Sequence, residues 1–461
     1  MELTKSQETL QSTPCFTKKN KMEKHKYINV EKRYILPVNL SVVRYKGKIL
    51  LIAVDTATWL VLENEEQLRF FSLLQKYSIR ESMVIFQGKK EDVINTITQI
   101  EARKFDEFEC HSAVVGTLHF YLTNKCNMKC PHCYMNAGEC LDDELTTEEV
   151  KDVLKKYAEY SGENVVFSGG EATTRKDIVE ILQSAKEYGL HVSLLSNGYG
   201  LSDIMIEKIS ELVDRLQISI DGYSEKENSK VRRKGSFQNV LDSLDKFLKN
   251  GVSVELAITP WLDEELEKKV GDYADFGKSL NNKYADCKLK IKYTTGLLDG
   301  RDLHLSKDER QRYSKIMQEV TNLYYGKDVS NDSFISSHRR KLIFNNCSYG
   351  NITIGPNGDV YPCTRITSIK PYANVRRCTF DYVHKMSEKI QRLSDVKNLK
   401  PCNECPLMNI CGGNCRIKYF PFFKFVDNFE NVKIPIAREC NQSIKNEFYE
   451  LMINTNKKIF I

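Results

Sequence analysis

Strand-like and helix-like segments alternate across the middle of this 461-residue chain, and this alternation limits the fold more than any other feature. Short apolar runs typical of strands are separated by stretches with the 3.6-residue period of helices. Strands are predicted at 118–123, 164–168, 191–196, 216–220, 252–259 and 289–294, and helices at 147–160, 177–188, 203–213, 237–250, from 263 and at 307–325. Six such units predict an α/β fold with a parallel sheet, most simply a partial (β/α)6 TIM-type barrel, whose chemistry lies at the carboxyl ends of the strands.

Two regions with other patterns flank the barrel. Residues 34–108 predict a separate β3α3 winged-helix-like domain, and Ser78 with Glu81 forms a capping box at its second helix. Its strands are predicted at 40–44, 48–54 and 58–62, and its helices at 65–76, 79–86 and 90–104. Residues 336–461 show weak periodicity and many cysteines, so ligands are expected to organise them. The predicted domains are 1–33, a flexible polar arm, then 34–108, 109–335 and 336–461.

Composition narrows the class of protein. A length of 461 residues with 41% hydrophobic residues allows more than one buried core. The net charge of +6 is spread along the chain, so no nucleic-acid partner is expected. The chain lacks a signal-peptide pattern and any run long enough to cross a membrane, so we expect a cytoplasmic protein with no membrane partner. Clustered cysteines in that reducing compartment more often hold metal than form disulfides.

Three cysteines follow the first barrel strand directly. Cys126, Cys130 and Cys133 have the spacing C-x3-C-x2-C, and Tyr134 comes next. Three thiolates on one loop can hold three irons of a four-iron cluster and leave the fourth iron open. The alternatives are a zinc site or unpaired thiols, but structural zinc usually takes four protein ligands and no fourth one is local.

This segment resembles the cluster motif of the radical S-adenosylmethionine (radical SAM) family, and the resemblance covers about residues 115–325. It implies a catalytic [4Fe-4S] cluster on the three cysteines and a site for S-adenosyl-L-methionine. The implied cofactor-binding residues are Tyr134, Gly169, Gly170, Glu171, Ser196, Asn197, Gln217, Ser219, Asp221 and Arg232. Asn228 stands where the family usually has His. Positions 217, 219 and 221 share one strand face, which ordinary polarity of a barrel interior would also explain.

The resemblance also implies a mechanism. An external one-electron donor such as flavodoxin or ferredoxin reduces the cluster, the cofactor is cleaved, and a 5′-deoxyadenosyl radical takes hydrogen from a substrate carbon. The cofactor carries the difficult chemistry, while the protein supplies geometry and excludes water.

The later cysteines form a second pattern. It runs Cys347, Gly358, Cys363, then Cys402-x2-Cys405-x5-Cys411-x3-Cys415, and ends at Cys440. It resembles the SPASM extension of peptide-modifying radical SAM enzymes. The resemblance implies two auxiliary [4Fe-4S] clusters, one on Cys347, Cys363 and Cys415 and the other on Cys402, Cys405, Cys411 and Cys440. Two structural zinc ions are the alternative. The remaining cysteines are Cys15, Cys110, Cys140, Cys287 and Cys378, and none is assigned.

The β3α3 pattern resembles PqqD-like recognition elements fused to maturases of ribosomally made peptides. In such elements a leader peptide adds a strand to the sheet edge, here 58–62, along a groove bounded by 90–104. A spacer or DNA-binding winged helix is the alternative, although no basic recognition helix is evident.

These patterns together predict a radical SAM enzyme that modifies a precursor peptide bound through its leader. A fourth cysteine for the first auxiliary cluster is missing from 339–346, so a substrate cysteine could bind there and form a thioether crosslink. The alternatives are a carbon–carbon crosslinking maturase, a protein maturase of the anaerobic sulfatase type, and a zinc-dependent peptide-binding protein without chemistry.

Overall fold

The computed structural model describes residues 29–107, 116–326, 347–420, 422–425, 432–434, 436–437 and 440–457. Most of the predicted arm and the predicted domain boundaries near 108 and 335 lie outside these residues. No helix in the described ranges is both long and apolar enough to cross a bilayer.

The N-terminal region forms a three-stranded antiparallel sheet covered on one face by three helices. Strand β2 lies between β1 and β3, so β3 has an open edge. The predicted capping box of Ser78 and Glu81 is present. The elements are β1 Leu40–Tyr45, β2 Lys48–Ala53, β3 Thr58–Leu62, α1 Glu65–Leu74, α2 Ile79–Ile85 and α3 Lys90–Arg103.

Six parallel strands in sequential order form the centre of the molecule, which confirms the predicted α/β fold with a parallel sheet. The strands are β4 Thr117–Tyr121, β5 Asn164–Ser168, β6 His191–Ser196, β7 Arg215–Ile220, β8 Val254–Ile258 and β9 Leu289–Tyr293. The helices are α4 Thr147–Glu159, α5 Ile178–Glu187, α6 Asp203–Leu212, α7 Glu225–Asn228, α8 Ser236–Lys249, α9 Val270–Lys283 and α10 Lys307–Tyr325.

Alternation along the strands separates an apolar core from a polar face. In β7 the side chains of Leu216, Ile218 and Ile220 are buried in the core, whereas Gln217 and Ser219 are only half-buried on the opposite face. The predicted shared polar face is therefore present for Gln217 and Ser219, whereas Asp221 lies just beyond the strand and is fully buried.

The C-terminal region extends this sheet. Strand β10 pairs in parallel with β4, and β11 and β12 follow in antiparallel order, which gives nine strands in all in this sheet. The sequence analysis did not predict this extension. The further elements are β10 Thr353–Ile354, β11 Asp359–Tyr361, β12 Ala373–Asn374, α11 Phe380–Leu393, β13 Leu399–Lys400, α12 Met408–Cys411, α13 Arg416–Tyr419, α14 Phe422–Phe425, β14 Ile436–Ala437 and α15 Gln442–Lys457.

The N-terminal sheet packs on both faces. Leu51 and Leu60 face helices α1–α3 in a core that belongs to this region alone. On the opposite face Trp59 and Val61 pack against residues of α12, α15 and the loop before α12, namely Leu407, Ile410, Tyr449 and Met452. The N-terminal region thus has its own core but is also joined to the cysteine-rich region by a second one.

Candidate cluster and cofactor site

The first cysteine loop follows the carboxyl end of β4. Cys126, Cys130 and Cys133 are half-buried. The Cys126 N–H donates to the Gly138 carbonyl at 2.8 Å, and the Cys133 N–H donates to the Cys130 carbonyl at 3.2 Å. Burial raises the pKa of Cys130 to about 11 and also raises the pKa of Cys126. A thiolate at these positions therefore needs a cationic partner, which iron would supply.

An arginine from a distant loop holds this segment in place. The Arg301 side chain donates to the Cys130 carbonyl at 3.2 Å and to Asn136 Oδ1 at 2.8 Å, and it also bonds the Ala137 carbonyl. Its backbone N–H donates to the Cys133 carbonyl at 3.1 Å. Three acceptors around one planar guanidinium fix the loop's path. Sequence reasoning missed Arg301 because no local pattern links it to the cysteines.

The adjacent glycines allow two backbone segments to touch. A Cβ on Gly169, whose φ is +137°, would lie 2.4 Å from the Thr123 carbonyl oxygen, and one on Gly170 would lie 2.4 Å from that of Lys125. The Gly170 N–H donates to the Thr123 carbonyl at 2.8 Å. The glycines thus bring the end of β5 against the start of the cysteine loop, where only a residue without Cβ fits.

Glu171 joins the ends of two strands. Its carboxylate is 1% exposed and accepts hydrogen bonds from the Ser196 hydroxyl at 2.9 Å, the Asn197 N–H at 2.6 Å and the Thr173 hydroxyl at 2.6 Å. Asn197 Nδ2 in turn donates to Asn127 Oδ1 at 2.7 Å, beside Cys126. The structure therefore brings together the predicted residues 171, 196 and 197, with the carboxylate bound to protein groups. A direct contact of Glu171 with the cofactor stays a prediction.

A buried ion pair lies on the other side of the loop. Asp221 is fully buried, and its Oδ2 accepts from Arg232 Nε at 2.6 Å and lies 3.8 Å from His132 Nε2. Asp221 Oδ1 and His132 Nδ1 are buried without a hydrogen-bond partner. The Arg232 pKa is raised, because the attraction of Asp221 and Cys130 outweighs the opposing effect of burial. Unpaired polar atoms beside three thiols fit a site that takes a polar ligand.

Asn228 stands where the family usually has His, and its amide is held by two hydrogen bonds. Its side chain is fully buried, its Oδ1 accepts from the Asp221 N–H at 3.1 Å, and its Nδ2 donates to the Ser236 hydroxyl at 3.0 Å. The amide therefore supports the Asp221 backbone.

Tyr134 connects the cysteine loop to the C-terminal region. Its hydroxyl lies 2.6 Å from that of Tyr121, which donates to the Thr364 carbonyl at 2.8 Å, and its own carbonyl accepts from Thr367. Burial raises the pKa of Tyr134 to about 12, so the phenol stays protonated. Cys363 lies directly before these contacts, so the two cysteine regions adjoin.

The later cysteines approach one another in two places, and their assignment to two clusters stays a prediction. Cys402, Cys405, Cys411 and Cys440 line one pocket. Cys363 is close enough to Cys347 and Cys415 for their charges to affect its pKa. Cys363 and Cys415 belong to the small C-terminal core, whereas Cys287 and Cys378 pack against the barrel core.

The described cysteines are not arranged for single ions. Among the described residues, no group of three or more His, Cys, Asp or Glu side chains is placed to hold one metal ion. A four-iron cluster binds each thiolate on a different iron, so its cysteines stand farther apart than the ligands of one zinc.

Comparison with known proteins defines the class. Residues 120–276 match the family model of the radical SAM superfamily. The chain therefore contains a radical SAM domain, and it is an enzyme. Its homologues include peptide maturases, and the radical SAM match implies S-adenosylmethionine and a [4Fe-4S] cluster as cofactors.

Two curated relatives and one solved protein illustrate the likeness. Mycofactocin maturase MftC of Mycolicibacterium smegmatis is 26% identical over 70% of this chain and 84% of its own length. Fe-coproporphyrin III synthase of Methanosarcina barkeri is 34% identical, but over only 30% of this chain and 35% of its own length. The structure of anSMEcpe with bound AdoMet matches with a TM-score of 0.53 at 17% identity, over 74% of this chain and 99% of that one, which shows a shared fold. That protein is also known with AdoMet and a Cp18Cys peptide.

Proposed function

We propose that this enzyme modifies a ribosomally synthesised precursor peptide, and that Cys126, Cys130 and Cys133 hold its catalytic cluster. The observation that carries the proposal is the grouping of three half-buried thiols beside a buried Asp221–Arg232 pair and a polar strand face. When bound there, the cluster and S-adenosylmethionine supply radical hydrogen abstraction. In this proposal a flavodoxin or a ferredoxin supplies the electron, and the substrate is a short peptide. The reaction takes place in the cytoplasm.

The chain's own residues bind and orient the cofactor in this proposal. Arg232 presents a planar guanidinium to the cofactor's carboxylate and is itself held by Asp221. Gln217 and Ser219 offer polar groups from the half-buried face of β7. Glu171 fixes Ser196 and Asn197 at this site. The site is completed by Tyr134 and the Gly169–Gly170 backbone.

We assign two auxiliary [4Fe-4S] clusters to residues 336–461 as a SPASM domain. The pocket lined by Cys402, Cys405, Cys411 and Cys440 supports one, and the proximity of Cys363 to Cys347 and Cys415 supports the other. Residues 34–108 then form the PqqD-like leader-binding domain and residues 109–335 the radical SAM core.

We further propose that the product is a cysteine thioether. The first auxiliary cluster has three protein cysteines, and both Cys287 and Cys378 pack in a different core. A substrate thiolate would fill the fourth position. The peptide loses one hydrogen atom from carbon, one proton from sulfur and one electron, which the iron–sulfur groups accept. The net change is a loss of two hydrogens.

The test is anaerobic reaction with the peptides encoded by short open reading frames beside the gene. We expect 5′-deoxyadenosine and a peptide lighter by two hydrogens, with about four irons per occupied cluster and little zinc. Iron-free and iron-containing coproporphyrin serve as comparison substrates, because two relatives are named as an Fe-coproporphyrin III synthase and an AdoMet-dependent heme synthase. Turnover of the porphyrin alone would contradict peptide modification, and high zinc without cofactor cleavage would favour a binding protein. A two-hydrogen loss that persists after every peptide cysteine is replaced by Ser would exclude the thioether and favour a carbon–carbon crosslink.

A further inference from the structure

The outer edge of β3 pairs with no other strand among the described residues, but a side chain binds its backbone groups. The Val61 N–H donates to Gln99 Oε1 at 2.8 Å, and Gln99 Nε2 donates back to the Val61 carbonyl at 2.7 Å. A side-chain amide offers the same donor and acceptor as a peptide group, so Gln99 stands in for one residue of a neighbouring strand. Val61 points these groups away from β2, where an added strand would bond.

Helix α15 covers the same edge. Asn456 Nδ2 donates to the Val61 carbonyl at 3.3 Å from the last turn of α15. Thr455 and Asn456 in this turn are buried, although both are polar. Further back along the helix, Tyr449 and Met452 pack in the apolar core shared with the N-terminal sheet. The helix is thus anchored by apolar contacts along its length, and its last turn adds polar contacts at the β3 edge.

A buried cation lies where the helix, α3 and β3 meet. The Arg103 guanidinium stacks over the Trp59 ring at 4.8 Å and donates to Thr455 Oγ1 at 3.1 Å and Asn456 Oδ1 at 3.5 Å. Its Nε is buried without a hydrogen-bond partner. Burial lowers its pKa to about 9, and no carboxylate of the described residues offsets that shift. Among the described residues, the groups that face this charge are the Trp59 ring, neutral oxygens and the negative end of the α15 dipole.

We propose that the last turn of α15 and the leader of the precursor peptide compete for the edge of β3, and that the leader brings a carboxylate which takes Arg103 from Thr455 and Asn456. A carboxylate forms a stronger, charge-assisted bond to a guanidinium than a hydroxyl or an amide does. The leader strand replaces the bonds of Gln99 and Asn456 to Val61 with backbone bonds. This inference rests on the proposed function, since it presumes a peptide substrate.

The test uses the full chain and, as a fluorescent probe, the peptide found to be modified in the mass-spectrometry experiment. Asn456→Ala removes one bond that closes the edge, so we expect two- to tenfold tighter binding, about the value of one hydrogen bond. Arg103→Gln is expected to weaken binding about tenfold and to abolish the effect of replacing the peptide's Asp and Glu by Asn and Gln. Arg103→Lys should keep that effect.

The matched control is Glu450→Gln on the same helix. Glu450 bonds the Tyr45 hydroxyl at 3.1 Å on the β1 side of the sheet, away from the β3 edge, so its replacement should leave affinity within about twofold. Hydrogen exchange gives a second readout, because residues 453–457 should exchange faster once the peptide binds while 445–452 stay protected. The competition is overturned if Asn456→Ala leaves the affinity unchanged and residues 453–457 are equally protected with and without the peptide. It is also overturned if Asn456→Ala and Glu450→Gln raise the affinity equally. If no peptide is modified or bound at all, the proposed function itself fails.

Discussion

The two cysteine regions differ in what holds them. Cys126, Cys130 and Cys133 sit on a loop fixed by Arg301 and by backbone bonds, and Cys126 and Cys133 pack against a cluster of four other buried residues. Cys402, Cys363 and Cys415 instead form part of a small C-terminal core. A protein-held loop can keep its shape without metal, whereas a core built partly of thiols depends on what the thiols bind. The barrel should therefore tolerate loss of its cluster, and the C-terminal region should not.

The largest expected effect comes from the barrel loop. Replacing Cys126, Cys130 and Cys133 together with Ala should abolish 5′-deoxyadenosine formation and remove about four of about twelve irons. The thermal unfolding midpoint should change little, because the loop's hydrogen bonds remain. Cys140→Ala, at an exposed cysteine outside all three predicted groups, is the control and should retain all iron and activity. Retained cofactor cleavage in the triple variant would disprove the assignment.

A change in the C-terminal cysteine region should affect stability more than the change in the barrel loop does. Cys402 is 6% exposed, and Cys402→Ala should lose the second auxiliary cluster and lower the free energy of unfolding by several kcal/mol, since metal binding here is part of folding. Calorimetry and iron analysis of the anaerobic protein measure both effects. Cys287→Ala, which alters a thiol packed against the barrel core, is the control. Equal loss of stability in the barrel triple variant would remove the contrast between the regions.

The Arg301 clamp tests whether protein contacts alone shape the catalytic loop. Arg301→Gln should slow 5′-deoxyadenosine formation roughly tenfold or more, because bonds from a charged donor contribute about 1.5–3 kcal/mol. Arg301→Lys should recover part of the rate. The electron paramagnetic resonance signal of the reduced cluster should also shift, which a purely structural role elsewhere would not cause. Arg310→Gln is the control, since Arg310 bonds the Leu297 carbonyl and Asp299 but not the cysteine loop. An unaltered resonance signal in Arg301→Gln would count against the clamp.

The smallest expected effect is on stability, at an ion pair that joins the barrel to the C-terminal region. Arg376 bonds both carboxylate oxygens of Glu149 and the Asp143 carbonyl, and chiefly its hydrogen bond lowers the pKa of Glu149 to about 2. A depressed pKa stabilises the fold above the usual value near 4.5, and this contribution is lost as pH falls toward 2. Arg376→Gln should cost about 1 kcal/mol at pH 7, since the pair is one-third exposed, and less at pH 3. Urea unfolding at both pH values measures it, with Arg377→Gln as control. An equal loss at both pH values would refute the ion-pair explanation.

Sequence patterns predicted the elements well where the signal is local. The strands at 164–168 and 191–196 and the helix at 307–325 have the predicted bounds, because alternating apolar residues and caps such as Ser306 with Glu309 lie within one segment. The assignment of the cysteines to clusters came from resemblance rather than from spacing alone, and it stays a prediction.

Contacts between distant segments were not predictable in the same way. Arg301 lies 171 residues from Cys130, and β10 pairs with a strand more than two hundred residues earlier. The sequence also offers no sign that the β3 edge is covered, because no local pattern indicates that Gln99 and Asn456 bond its backbone. Such pairings depend on tertiary packing, which a single sequence does not encode in any one segment.

The amide of Gln99 has a consequence for how the protein behaves in a crowded cell. A strand edge able to bind one extended chain binds others through the same backbone groups, and unprotected edges join copies into aggregates. The side chain of Gln99 closes Val61, so the edge that we propose for the leader does not offer a growth point for fibres while it is empty. Solubility and substrate capture would then be set by the same few hydrogen bonds.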